Sequence, residues 1–175
     1  MTERKINWQP DHLEDGRVRL LPLEEDHFKT LYQVASDPLI WEQHPASNRY
    51  EKNVFRDFFD GGLSTGSAFV IEDRSSGRII GSTRYYDYDE SNNCIAIGYT
   101  FLQRAYWGGQ YNRSVKMLML NYAFQFVVKV IFHIGATNIR SQLATARFGA
   151  RKTGEFKKGE SLNYEYTLMR DEWKP

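Results

Sequence analysis

The sequence predicts an α/β fold in which a mixed, twisted β-sheet carries helices on both faces. Short runs of β-type residues recur from Arg17 to Met169, and helical-period segments lie between them. The run Ile95 to Phe101 passes through Gly108-Gly109 straight into a long apolar helical segment. Strand and helix alternate across the middle of the chain, which favours one sheet covered on both sides.

Arg17 to Leu21 alternates charge and apolar bulk at period two, so it reads as a half-buried strand ended by Pro22. Glu24, Glu25 and Asp26 then favour a helix start, and Phe28, Leu31, Tyr32 and Ala35 form its buried face before Asp37-Pro38 stops it. A second helix is expected over Asn53 to Phe59, closed by Gly61-Gly62. Ala68 to Glu72 and Arg78 to Tyr85 read as two strands of a hairpin turning at Arg74 to Gly77. The polar run Asp87 to Asn93 leads into the strand Ile95 to Phe101. Asn112 to Val128 reads as a helix apolar nearly all round, with Ser114, Asn121 and Gln125 on one narrow polar stripe. Val130 to Ile134 is a buried strand, Asn138 to Phe148 a short helix ending at Gly149, and Tyr164 to Met169 the last strand. Lys157 to Glu160 reads as a solvated loop.

A chain of 175 residues with 41% apolar and 15% aromatic content suffices for one domain burying roughly 70% of its extended surface. One domain is expected over residues 1–175, with 1–14 as an N-terminal extension. The 23 Lys and Arg against 22 Asp and Glu leave a net charge of +1, so no global field recruits nucleic acid or an anionic membrane. The single cysteine, Cys94, excludes an internal disulfide and a cysteine zinc cage and fits a reducing cytoplasm. Met1 to Pro10 lacks the apolar stretch of a secretory leader, and Val115 to Ile134 is too polar for a bilayer span. The histidines at positions 12, 27, 44 and 133 have no metal-ligand spacing. Aromatic content permits a homodimer without requiring one.

The segment Gln103 to Ser114 carries the chemistry. A helix entry has unpaired N–H groups and a positive dipole end, and glycines let phosphate approach the backbone closely. Gly108 and Gly109 supply the room, and the amides from Gly109 to Arg113 the donors. No P-loop lysine and hydroxyl accompany them, which points to a pyrophosphate held by backbone alone, such as that of coenzyme A.

Several motifs in order resemble the GNAT superfamily of acetyl-CoA-dependent N-acetyltransferases, in particular the branch of ribosomal-protein alanine and serine N-terminal acetyltransferases. They are Gly16 to Leu23 with the acidic helix start, Ser36-Asp37-Pro38, Ile97-Gly98-Tyr99, Tyr106 to Tyr111, and Asn138 to Ser141 running to Phe148-Gly149-Ala150. The resemblance spans residues 15–173. It implies a GNAT-like fold of about seven strands and an acetyl-CoA-dependent N-acetyltransferase that passes the acetyl group directly to an amine, without a metal. Phe101 and Leu102 would meet pantetheine, and Gly108, Gly109, Gln110, Tyr111, Asn112 and Arg113 the pyrophosphate. The small residues of the family's loop pattern are replaced by Gln110 and Asn112, and Gly109 sits one place early.

By the same resemblance Asn138 binds the pantetheine arm while capping its helix, and Ser141 lies near the thioester sulfur as a proton donor to the thiolate. Thr145 stands where many relatives carry a donor tyrosine. Glu160 matches the proposed base of the ribosomal-protein enzymes, and an amide at Phe101 or Leu102 would stabilise the oxyanion. Asp87, Asp89, Glu90 and His133 are the other candidate bases, and Tyr99 a candidate for positioning the acceptor. Trp41, His44, Tyr50 and Tyr88 are candidates for an aromatic lid. The acceptor is a protein N-terminus or a small amine, and the acidic run from Asp87 would suit a cationic one. The alternative is a GNAT-shaped module that binds an acyl-CoA or a protein without catalysis.

Overall fold

A computed structural model describes residues 5–175. In chain order the elements are β1 (Leu13–Glu14), β2 (Val18–Pro22), α1 (Phe28–Ala35), α2 (Lys52–Thr65), β3 (Ala68–Asp73), β4 (Arg78–Asp89), β5 (Cys94–Leu102), α3 (Tyr111–Ala123), β6 (Lys129–Gly135), α4 (Ile139–Arg147), β7 (Arg151–Lys158) and β8 (Ser161–Met169). The strands form one sheet in the order β1-β2-β3-β4-β5-β6-β8-β7. Every neighbouring pair is antiparallel except β5 with β6.

Side chains alternate between the two faces of a strand, and β3 shows the consequence. Phe69 and Ile71 join Leu20, Ile80, Tyr85, Val115, Met119 and Phe132 under α3. Ala68 and Val70 join Leu31, Phe55, Phe59 and Phe101 under α1 and α2. The helices thus lie on both faces, as the alternation of elements predicts.

Four boundaries differ from the expectation. α2 runs through Gly61 and Gly62 to the left-handed Gly66, because a glycine is needed inside it: a Cβ on Gly62 would stand 2.9 Å from Leu23 and 3.2 Å from the Arg84 guanidinium. α3 stops at Ala123, where Gln125 and Phe126 close tight turns on Tyr122 and Ala123 that bring Val127 into the core. The residues around Lys157 and Gly159 form a hairpin between β7 and β8 rather than a loop, so the described sheet has eight strands. β7 is an edge strand, mostly exposed and rich in Lys and Arg, a composition that blocks edge-to-edge pairing and hides the strand from periodicity. Residues 1–4 of the expected N-terminal extension lie outside the described residues. Further along it Trp8 packs on Tyr85, Tyr88, Tyr122 and Phe126, and β1 joins the sheet.

Two irregularities shape the centre of the sheet. Between the Ser82–Phe101 and Arg84–Gly98 pairs, Thr83 alone faces Tyr99 and Thr100, and Tyr99 adopts φ +52°. This is a β-bulge, which bends its strand. β5 and β6 pair only over Cys94–Ala96 and Lys129–Ile131. Beyond that, β5 continues along β4 and β6 along β8, and the two diverge.

Candidate active site

The divergence of β5 and β6 opens a cleft of about 370 Å³. Its walls come from β5 residues Ile97 to Leu102, β6 residues Phe132 to Gly135, the start of α3, the start of α4 and the loop carrying Trp41, His44 and Arg49.

At one end lies the turn between β5 and α3. Trp107 anchors it by donating its indole N–H to the Leu102 carbonyl at 2.9 Å. Gly108 follows at φ +70°, a left-handed conformation open to glycine at little cost. α3 begins at Tyr111, and the Gln110 side chain gives it no cap. Among the described residues the amides of Gly108 to Arg113 donate to no protein acceptor; the first paired amide is Ser114, on the Gln110 carbonyl. Tyr111 turns its hydroxyl to Asp73, and Ser114 accepts from Arg17 at 3.2 Å, so these side chains hold the helix to the sheet. Gly108, Gly109 and Asn112 line the cleft, with Phe101 and Leu102 beside them; Gln110, Tyr111 and Arg113 are outside the lining.

On the opposite wall Asn138 caps α4, its side chain accepting from the Ser141 amide at 3.3 Å. Asn138, Ser141 and Thr145 all line the cleft. Among the described residues the Ser141 hydroxyl has no hydrogen-bond partner. Arg140 stacks on Trp107, its guanidinium carbon 3.8 Å from the ring centroid, and ties α4 to the glycine turn.

Away from the glycine turn, His133 lines the same cleft. Its Nδ1 is 3.0 Å from the Tyr86 hydroxyl and its Nε2 3.3 Å from the Glu165 carboxylate on β8. The Glu165 carboxylate can only accept, so the His133 proton facing it sits on Nε2 and Nδ1 accepts from the Tyr86 hydroxyl; burial, then the neighbouring Tyr99, pushes that phenol well above its usual range. Glu160 is exposed in the β7–β8 turn, outside the cleft lining. Asp87, Asp89 and Glu90 are outside it too; Asp89 accepts from Ser91 and Asn92, and those bonds hold its carboxyl at about 2. Trp41 and His44 line the cleft, whereas Tyr88 packs on Trp8 and Tyr50 is exposed.

Three cations, Lys116 and Arg49 lining the cleft and Arg84 buried behind Tyr99, are absent from the expected site. Lys116 on α3 is buried with its ammonium 2.6 Å from the Thr100 hydroxyl, and burial lowers it to about 7. Arg49 and Arg84 flank Tyr99. Each interrupts an apolar stretch of sequence or a loop without a pattern, and only the fold shows what surrounds it.

Residues 17–151 match the family model for the acetyltransferase (GNAT) domain. No curated protein sequence matches the chain. Among solved structures it superimposes on a GCN5-related N-acetyltransferase from Brucella melitensis with a TM-score of 0.80 at 21% identity, covering 94% of this chain and 83% of that one. RimJ from Mycobacterium smegmatis in complex with CoA-disulfide follows at 0.70 and 16%, over 89% and 83% of the two chains. Spermidine N-acetyltransferase from Vibrio cholerae in complex with CoA and spermine gives 0.67 and 14%, over 90% and 98%.

Proposed function

Because the chain belongs to the GNAT acetyltransferase family, we propose that it transfers the acetyl group of acetyl-CoA to a primary amine by direct attack within a ternary complex. One observation carries the reading: among the described residues the amides of Gly108 to Arg113 have no protein acceptor, and Gly108, Gly109 and Asn112 of this turn line the cleft between two diverging strands. Such an array is an anion receptor, and backbone donors with a helix dipole suit a pyrophosphate. Replacement of the family's small loop residues by Gln110 and Asn112 leaves this intact, because main-chain N–H groups are the donors.

The free edges of β5 beyond Ala96 and β6 beyond Ile131 would flank the pantetheine arm, with Phe101, Leu102 and Asn138 in contact. The attacking amine must be neutral. His133 accepts its proton on Nδ1, the nitrogen with the lone pair, as the Tyr86 hydroxyl turns away from it, and the imidazolium formed keeps its Nε2–H on the Glu165 carboxylate. An amide at Phe101 or Leu102 receives the oxyanion. Collapse of the tetrahedral intermediate breaks the carbon–sulfur bond, and Ser141, whose hydroxyl has no partner among the described residues, passes its proton to the departing thiolate as water reprotonates it.

Calorimetric titration with acetyl-CoA and with desulfo-coenzyme A tests the binding half, and thiol release in the presence of amines tests the transfer half. Saturable one-to-one binding with amine-dependent thiol release is expected. Absence of binding at millimolar ligand would remove the pyrophosphate site, and binding without amine-dependent release would favour a non-catalytic module.

A further inference from the structure

Resting on that reading of the cleft, we propose that the acceptor carries a carboxylate beside its amine, which Arg49 receives on the cleft wall remote from the glycine turn, with the buried Arg84 behind Tyr99 adding its charge.

Arg84 belongs to β4 and is 6% exposed. Its guanidinium lies under the Gly61-Gly62 turn of α2 on one side and 3.9 Å from the centroid of Tyr99 on the other. It donates from Nη2 to the Phe58 carbonyl at 3.1 Å, and its Nε is buried without a partner. Arg49 stands on the cleft wall, its guanidinium carbon 4.7 Å from Phe58, 5.6 Å from Trp41 and 5.9 Å from Tyr99. Among the described residues the one hydrogen-bonding contact of its guanidinium is His44 Nε2 at 3.3 Å. His44 Nδ1 accepts from the Ala46 amide at 2.9 Å, so the ring proton sits on Nε2 and offers Arg49 no lone pair.

Neither guanidinium has a carboxylate within 4.0 Å among the described residues, although Arg19, Arg56, Arg104 and Arg151 all do. Two cations therefore share an aromatic wall with few acceptors. Burial, with the Arg84 charge adding to it, lowers Arg49 to about 10. His44 is lowered to about 3, mainly by burial and then by Arg49, so it stays neutral and brings no balancing charge. Faces of Tyr99, Phe58 and Trp41 offset part of the desolvation, yet an aromatic ring supplies no hydrogen-bond acceptor. A guanidinium has five N–H donors in a planar fork, and a carboxylate is the group that matches it.

Placement argues against the cofactor as occupant. The chain from Tyr99 to Leu102 spans roughly 10 Å as a strand and separates this pair from the glycine turn, where Arg140 and Arg147 already line the cleft. A polyamine chain would meet two cations here. The sequence-level idea of a cationic acceptor rested on Asp87, Asp89 and Glu90, which do not line the cleft.

The test is calorimetry with acetylated product mimics, independent of turnover, alongside acetyl-CoA. N-acetylalanine against its carboxamide probes an α-carboxylate. N-acetyl-Ala-Glu-amide against N-acetyl-Ala-Gln-amide probes an acidic peptide side chain. We expect at least one carboxylate to bind tenfold or more tighter than its amide, and Arg49→Gln to erase that preference while Arg49→Lys keeps part of it. Arg49 is partly exposed, so its variants should fold; acetyl-CoA affinity measured on the same samples checks this. Equal binding of acid and amide in both pairs, with acetyl-CoA bound normally, overturns the carboxylate site and leaves the acetyltransferase reading standing. Carboxylate-selective binding without acetyl-CoA binding does the reverse.

Discussion

Lys116 lies in the floor of the cleft with its ammonium on the Thr100 hydroxyl, one residue past the bulge at Tyr99. The same hydroxyl is 2.9 Å from Thr83, whose own contact is the Met119 sulfur. A buried amine therefore depends on a short chain of neutral groups, with no carboxylate within 4.0 Å among the described residues. Its folded pKa of about 7 is below the ordinary 10.5 because burial disfavours the charge. Between those values the unfolded chain binds a proton that the folded one does not, so this group's contribution to stability rises with pH.

Lys116→Met should consequently stabilise the fold near pH 7, by on the order of a few kcal/mol at most. The gain should shrink as pH climbs toward 10.5 and vanish above it. Thermal melts of both proteins from pH 6 to pH 11 would measure this. A variant less stable than the parent at pH 7 would show that the amine is stabilising where it stands.

Gly109→Val isolates the anion site from the fold. Nothing lies within 4 Å of a Cβ at Gly109, and its φ is not in the left-handed region, so the melting temperature should move by no more than about 2 °C. A branched side chain at the turn crowds a ligand on the backbone amides. Steady-state kinetics should give an acetyl-CoA KM raised about tenfold with kcat little changed; an unaltered KM would place the pyrophosphate elsewhere.

Ser141→Ala removes a hydroxyl that has no hydrogen-bond partner among the described residues, so stability should change by less than about 0.5 kcal/mol. The rate of acetyl transfer should fall by about 10² if this hydroxyl protonates the thiolate. Single-turnover rates with a genuine acceptor read the effect directly, and full activity would transfer the role to water.

His133→Gln preserves polarity and approximate size but cannot accept the amine proton. We expect kcat to drop by roughly 10² to 10⁴, while acetyl-CoA affinity measured by calorimetry is unchanged. Glu165→Gln should lower kcat less, since it removes a partner of the imidazole rather than the base itself. A kcat equal to that of the parent would exclude His133.

Legibility differed by element. α1 and β2 declared themselves because each buries one stripe of a regular helix or strand, and the period of that stripe is local. α2 was cut short because Gly61-Gly62 looks like a stop; the glycines serve a close approach to Leu23 and Arg84, which are distant in sequence. β7 was invisible because an edge strand buries almost nothing. The glycine turn and the cap at Asn138 were readable, since anion sites and caps depend on a few consecutive residues. The Tyr86–His133–Glu165 contacts join three strands, and the Arg49, Tyr99 and Arg84 stack joins a loop and two strands.

By itself the sequence determined the class of sheet, the order of most elements, the family and the glycine turn before α3, because each is written in neighbouring residues or in a short period. Only the tertiary structure decided which charges share the cleft and which of them lack a partner. Burial and pairing are properties of residues far apart in the chain, and the divergence of β5 from β6 is what brings them to one wall.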